Sequence, residues 1–280
     1  MHRQTSLFAM LFEVVDSYNY KALSFKLLKA TSECARFPTV TITAPVGWII
    51  LGGGAYVDWQ SPPCAPPCPT GNLLTGMYPD STLTTWTVAS KPHPILSAAK
   101  ITAYCIVAQM RNRTRISPND YIVKQTNGAL PKQQAILPLT FIVVGGGVKV
   151  NYNSANSSGA LLYGSYPTST VALDGWEGSA KIFGPASITV WAIGLKKSFL
   201  TNNGMVVTSF KLTSPAAKYP SQTFVKPGFL LTGAGALIGG PPIRNFLTAS
   251  FPGDRQTVVA KGKDFLPDDP ESITAYVIGF

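Results

Sequence analysis

Several familiar ingredients are scarce in this chain of 280 residues. No apolar run reaches the roughly 18 residues that a membrane-spanning helix needs, so no transmembrane segment is expected. Histidine occurs only at His2 and His93. That leaves serine or cysteine nucleophiles almost without a general base, and no nucleophile-elbow pattern surrounds any serine. Charged residues make up 13% of the chain, about half the usual ~25%. Only 13 of these are acidic, which limits carboxylate chemistry. Cysteine appears four times, as Cys34, Cys64, Cys68 and Cys105. A zinc site needs further ligands beside Cys64 and Cys68, and the surrounding "SPPCAPPCPTG" has none. No metal, cofactor or enzymatic activity is expected.

The N-terminus, "MHRQTSLFAMLFEVVDSY", has a short apolar stretch that Glu13 interrupts, with no small-residue cleavage site after it. It makes a poor signal peptide and fits a helix, a strand, or a start that differs from that of the mature protein. The net charge is +10. Its lysines and arginines are scattered, the densest cluster being "RNRTR" at 111–115. Without a basic helix or stripe, nucleic acid is not the expected partner, and anionic glycans or a negatively charged envelope fit better.

What the chain does have is 25 glycines and 23 prolines between runs rich in Val, Ile, Thr and aromatics. This is the composition of many short strands joined by turns, an all-β protein. The runs also repeat. "GWIILGGGAYV" (47–57) returns as "TFIVVGGGVKV" (140–150) and "GFLLTGAGALI" (228–238). "NLLTGMYP" (72–79) returns as "ALLYGSYP" (160–167) and "NFLTASFP" (245–252). Each unit closes alike, with "ITAYCI" (101–106), "ITVWAI" (188–193) and "ITAYVI" (273–278). A fourth block precedes them: "KATS" at 29–32, "KQTN" at 124–127 and "KLTS" at 211–214. Four ordered blocks in three copies establish an internal repeat.

The repeats divide the chain into an extension (1–19) and three units, 20–116, 117–203 and 204–280, with a Cys/Pro-rich insertion at 60–70 in the first. Each unit is predicted to hold four to five antiparallel strands. The glycine triplets Gly52–Gly54 and Gly145–Gly147, with Gly233 and Gly235, lack the Lys-Ser/Thr of a phosphate loop and the helix of a dinucleotide fold. They are expected to be structural, at a bulge or a close strand contact. Short connections favour three sheets around a shared core; three tandem small β-sandwiches are the alternative. A β-trefoil has much shorter units.

In repeat number and glycine placement the chain resembles the β-prism group, which includes jacalin-like lectins and vitelline membrane outer layer proteins. The blocks "GGGA", "NLLTxxYP" and "ITAYxI" are also similar to repeats in secreted bacterial proteins of unassigned role. These resemblances imply a secreted or cell-surface, lectin-like β-repeat protein.

No carboxylate recurs in all three units, so no glycosidase pair stands out. "DFLPDDPE" (264–271) is expected to be a solvated turn, with a calcium loop as the remote alternative. Trp86 and Trp176 each precede a lysine, Lys91 and Lys181, with Lys261 taken as the third equivalent. Tryptophan near a loop can stack on a sugar while lysine binds hydroxyls or anionic groups. The candidate ligand-binding residues are therefore Trp59, Trp86, Lys91, His93, Trp176 and Lys181. A Cys64–Cys68 disulfide is expected to staple the insertion, with Cys105 filling core. The expected function is non-enzymatic binding of carbohydrate or an anionic cell-surface polymer. A self-assembling coat, fibre or matrix protein is the alternative, and the receptor-binding part of a toxin is the third.

Overall fold

The recurring blocks all fold as strands, and each unit adds two more. The computed structural model describes residues 12–58, 64, 72–93, 97–129, 131–152, 159–239, 245–264 and 270–280. Unit one contains β1 (Glu13–Tyr20), β2 (Leu23–Thr31), β3 (Thr39–Thr43), β4 (Ile49–Asp58), β5 (Asn72–Pro79), β6 (Thr85–Pro92) and β7 (Lys100–Met110). Unit two contains β8 (Tyr121–Gly128), β9 (Lys132–Ile136), β10 (Phe141–Tyr152), β11 (Ala160–Pro167), β12 (Gly175–Ile182) and β13 (Ala186–Lys196). After the short helix α1 (Lys197–Asn202), unit three contains β14 (Thr208–Thr213), β15 (Ser221–Val225), β16 (Leu231–Gly239), β17 (Asn245–Pro252), β18 (Thr257–Asp264) and β19 (Ser272–Gly279). The unit is thus six strands rather than four to five. The additional ones include five-residue strands: "TVTIT" alternates but is brief, and "KQQAI" is too polar to show an apolar alternation. Among the described residues no helix is long and apolar enough to cross a membrane.

The three antiparallel sheets are ordered β1-β2-β7-β4-β17-β18-β15, β3-β6-β5-β10-β13-β8 and β14-β19-β16-β11-β12-β9. Every sheet therefore joins three strands of one unit to three of another, in a cycle, with β1 added at the edge of the first. Unit one continues into unit three through β4 and β17, where Tyr56 pairs with Ala249 and Ala55 with Ser250. Unit two meets unit one where Val148 pairs with Met77 and Lys149 with Gly76. Unit three meets unit two where Gly164 pairs with Leu237 and Ser165 with Ala236. These three junctions are called seams below. Tandem independent sandwiches are ruled out, because no unit owns a complete sheet. One continuous core of buried residues runs through all three units.

The glycines explain how the sheets come so close. The register of β4, β10 and β16 shifts just before each glycine block, between Ile50 and Gly52, Val143 and Gly145, and Leu231 and Gly233. Each shift leaves one extra residue, and the carbonyl of that residue lies against the next unit's glycine. A Cβ on Gly145 would stand 2.2 Å from the Leu51 carbonyl oxygen, one on Gly52 2.5 Å from that of Thr232, and one on Gly233 2.6 Å from that of Val144. No real Cβ approaches backbone so closely. At the third position, Gly54, Gly147 and Gly235 face the backbones of Ser250, Met77 and Ser165 across the seams. The middle position faces bulk within its own unit: a Cβ on Gly53 would meet the Trp86 ring at 2.7 Å and one on Gly146 the Trp176 ring at 2.3 Å. In unit three Ala234 takes this place and Val258 stands where the tryptophans are. A smaller side chain leaves room for a methyl group.

Outside the core, one pairing differs from the sequence expectation. Cys64 is bonded to Cys34, with Cα atoms 5.7 Å apart, and not to Cys68, which lies outside the described residues. The insertion is thereby tied to the chain just after β2 rather than to itself. Cys105 is a free, fully buried thiol in β7, and burial raises its pKa well above the ordinary range.

Candidate functional site

Trp86 and Trp176 lie on the inner face of β6 and β12 with no exposed surface. The Trp86 indole N–H donates to the Gly54 carbonyl at 3.3 Å, and that of Trp176 to Ser165 Oγ at 2.9 Å. A ring with no open face cannot stack on a sugar. Both plug the core opposite the glycines, which corrects their assignment as ligand-binding residues. Trp59 lies outside the described residues.

The lysines behave differently. Pairing with Leu73, Leu161 and Phe246 places Lys91, Lys181 and Lys263 at equivalent positions, so the third equivalent is Lys263 and not Lys261. The same five-residue step separates Lys263 from Val258 as separates Lys91 from Trp86. Lys91 is fully buried beneath the Tyr152 ring, 4.5 Å from its centroid, and that burial lowers its pKa to about 8. Lys181 lies 5.8 Å from the Phe183 ring, and His93 packs on the same ring at 4.8 Å. Phe183 in turn meets Phe246 edge-on at 5.8 Å. His93, Lys181 and Phe246, one from each unit, thus converge on Phe183. Nearby, Glu271 is buried and accepts the Asn245 backbone N–H at 3.1 Å, so the end of "DFLPDDPE" is not a solvated turn. Residues 265–269 of that stretch lie outside the described residues.

The concavity best suited to a ligand opens on the outer face of the seam between β5 and β10. Their pairing lasts only two residues, and the space beyond it is a cavity of about 370 Å³. Aromatic rings of Phe37, Tyr78 and Tyr152 line it together with Thr39, Thr75, Lys149 and Asn151. The two tyrosine rings are held in place. Tyr78 stacks on Trp191 at 5.0 Å, and the Lys149 ammonium lies 5.3 Å from its centroid. Tyr152 is pinned by Lys91 and by a hydrogen bond with the Thr75 side chain. Burial raises the pKa of both phenols, so both stay protonated donors at neutral pH. Asn151 Nδ2 donates to Thr189 Oγ1 at 2.7 Å and Ser187 Oγ at 3.1 Å, which fixes its amide plane. Among the described residues no carboxylate lines the cavity. Among the described residues no three His, Cys, Asp or Glu side chains cluster to hold a metal.

The other two seams repeat the aromatic stack and little else. Phe251 and Tyr104 stack at 4.4 Å at one seam, Tyr166 and Tyr276 at 5.3 Å at the other. Lys149 is replaced by Tyr56 at the first, with Lys261 over it at 5.5 Å, and by Leu237 at the second. At that second seam Glu177 accepts hydrogen bonds from Tyr166 Oη and, at 2.8 Å, Gln134 Nε2. Lys132 Nζ also approaches it at 3.7 Å. Burial, and then the bond to Glu177, push the Tyr166 pKa far up.

Sequence reasoning missed Phe37, Tyr78, Lys149, Asn151 and Tyr152. It favoured residues that recur among the units, whereas this cavity is made largely by those that do not. Tyr152 did leave a signal, since it falls at the repeat position of Trp59. No protein-family model matches the chain, and no curated protein matches it either.

Proposed function

We propose that the protein is a non-enzymatic carbohydrate-binding protein, displayed outside the cell, on a β-prism-like frame of three related units. The observation that carries this reading is the β5–β10 cavity. It combines aromatic faces, two of them fixed, with amide and hydroxyl groups and one ammonium, and among the described residues no carboxylate lines it. Flat apolar rings suit the C–H faces of a sugar, while Asn151, Thr39 and the phenols suit its hydroxyls. Lys149 favours saccharides with an acidic substituent. Hydrolysis of a glycosidic bond ordinarily needs a pair of carboxyl groups, which this cavity does not offer. The Cys34–Cys64 disulfide supports an oxidising compartment.

Titration calorimetry with neutral and uronic-acid oligosaccharides tests the proposal. Binding is expected to weaken about tenfold in Phe37→Ala and in Asn151→Ala, each loss worth ~1.4 kcal/mol. No binding across a glycan array, or binding indifferent to both substitutions, overturns it.

One observation favours self-association as a second reading. β1 covers the edge of β2, but the equivalent β8 and β14 are bare sheet edges, and β14 exposes Phe210 and Leu212. Open edges with apolar side chains pair readily with other strands. Light scattering behind size exclusion decides this: a monomer at high concentration removes the reading, and an oligomer dispersed by Leu212→Lys supports it.

A further inference from the structure

The strand β1 has no counterpart in units two and three, and it builds a surface they lack. Antiparallel pairing sets Ser17 opposite Lys26 and Asn19 opposite Ser24, and Ser24 stands opposite Gln109 on β7. Directly opposed residues share a sheet face, so these polar side chains form one patch across three strands. Trp48, immediately before β4, closes the row. The patch encloses a concavity of about 370 Å³, and Arg113 of the β7–β8 turn reaches its rim.

Two cations, Lys26 and Arg113, line it, and among the described residues no carboxylate does. Lys26 Nζ lies 4.8 Å from the Trp48 ring centroid, a contact that fixes the ammonium but does not neutralise it. The Arg113 guanidinium makes no side-chain hydrogen bond or ion pair among the described residues. Its neighbours are occupied: Arg111 donates to the Lys21 carbonyl at 3.4 Å, and Arg115 to the Thr82 carbonyl at 2.9 Å and to Tyr121 Oη at 3.2 Å. Asp16, next to Ser17, is taken up by Arg255 at 3.9 Å and by the Ser17 backbone N–H at 2.7 Å. Arg113 also sits at φ +65°, a left-handed conformation that non-glycine residues seldom adopt. The turn fixes it there through Arg113 N–H to the Met110 carbonyl (2.8 Å) and Met110 N–H to the Thr114 carbonyl (2.9 Å). Strain of this kind, maintained by its surroundings, is typical of functional positions.

We propose that this patch is a second ligand site, distinct from the seam cavity, which takes a sulfate or phosphate ester carried on a saccharide. The ester oxygens are bridged by Lys26 and Arg113, since a guanidinium fork matches two oxygens of one tetrahedral anion. Asn19, Ser17 and Gln109 supply hydrogen bonds to the sugar that bears the ester. This site gives part of the +10 net charge a local purpose.

The test is calorimetry on the whole protein with dextran sulfate, phosphorylated dextran and plain dextran at fixed salt. Binding to either esterified polymer and not to plain dextran is expected, and the arm that binds identifies the ester. The double variant Lys26→Gln/Arg113→Gln is expected to weaken that binding about tenfold or more. Removing equal charge elsewhere, in Lys124→Gln/Lys218→Gln, is expected to leave it unchanged. Thermal melting verifies that each variant is folded. Equal losses in the two charge pairs, or binding that survives Lys26→Gln/Arg113→Gln, overturn the proposal. Phe37→Ala and Asn151→Ala, which change no charge, report on the seam cavity, so the two sites can fail independently.

Discussion

At the centre of the molecule and along its seams, the same three units meet under opposite constraints. In the centre, each glycine strand lies backbone to backbone on the next, and the cycle Gly52–Thr232, Gly145–Leu51, Gly233–Val144 is the same contact made three times. On the outer face of the seams only the aromatic stack persists. Lys149 at one is Tyr56 at another and Leu237 at the third. The difference follows from what is in contact. Where main chain touches main chain no side chain fits, so substitution is excluded. Where side chains face outward, each seam diverges without cost to the frame, and binding chemistry collects there.

The comparison can be broken most severely by deleting residues 204–280. β4 then loses β17 and β11 loses β16, so calorimetry should show no cooperative unfolding transition. A truncated chain that melts cooperatively near the parent temperature would mean that the shared sheets are dispensable. Next in size is Gly145→Ala, whose methyl group meets the Leu51 carbonyl at 2.2 Å. Denaturant titration should show a loss of about 3 kcal/mol or more, at the upper end for overpacking. Gly239→Ala, near the end of the equivalent strand and 3.3 Å from Ser272 Oγ, should lose less than about 1 kcal/mol.

Trp176→Val should cost ~3–5 kcal/mol through the cavity it leaves. Adding Gly146→Ala, which reproduces the Val258 and Ala234 pairing of unit three, should then cost far less than it does alone; strict additivity would break the size exchange. At the seams, Glu177→Gln should destabilise by ~1–3 kcal/mol, because buried partners lose a charged acceptor. Tyr78→Phe should stay within about 0.5 kcal/mol. A further effect is in pH. Lys91 titrates near 8 when folded against an ordinary 10.5, so below 8 its buried charge opposes folding. As pH rises from 8 towards 10, the unfolded chain holds the additional proton and stability should increase, by no more than about 1.4 kcal/mol per pH unit. Lys91→Met should remove that slope.

The repeats were legible because their main-chain contacts tolerate so little variation. The triplets, the Tyr-Pro and Phe-Pro pairs and the "ITAYCI" strands therefore stayed recognisable in all three units. Which unit's strand pairs with which was not legible, since short connections suit a strand that stays in its own sheet and one that crosses to the next. The disulfide illustrates the same limit. Cys34 lies far from Cys64 in sequence, and only the folded position after β2 brings it near. The candidate cavity was the least legible feature. Phe37 and Asn151 lie outside the shared blocks, Lys149 sits at a block position that the other units fill with Tyr56 and Leu237, and Trp86 looks exposed in "TTWTVASK" until its glycine partner is seen.

The cyclic sharing of strands also dictates a timetable. Ala55, near the start of the chain, pairs with Ser250, near its end. During synthesis β4 therefore has an open edge until β17 has emerged, and only the sheet shared by units one and two can close before unit three is made. Long-range pairing of this kind is slow, and the open edges of the waiting chain are prone to aggregate. Two of the three sheets wait for strands of unit three, so the native fold is reached only once that unit has emerged.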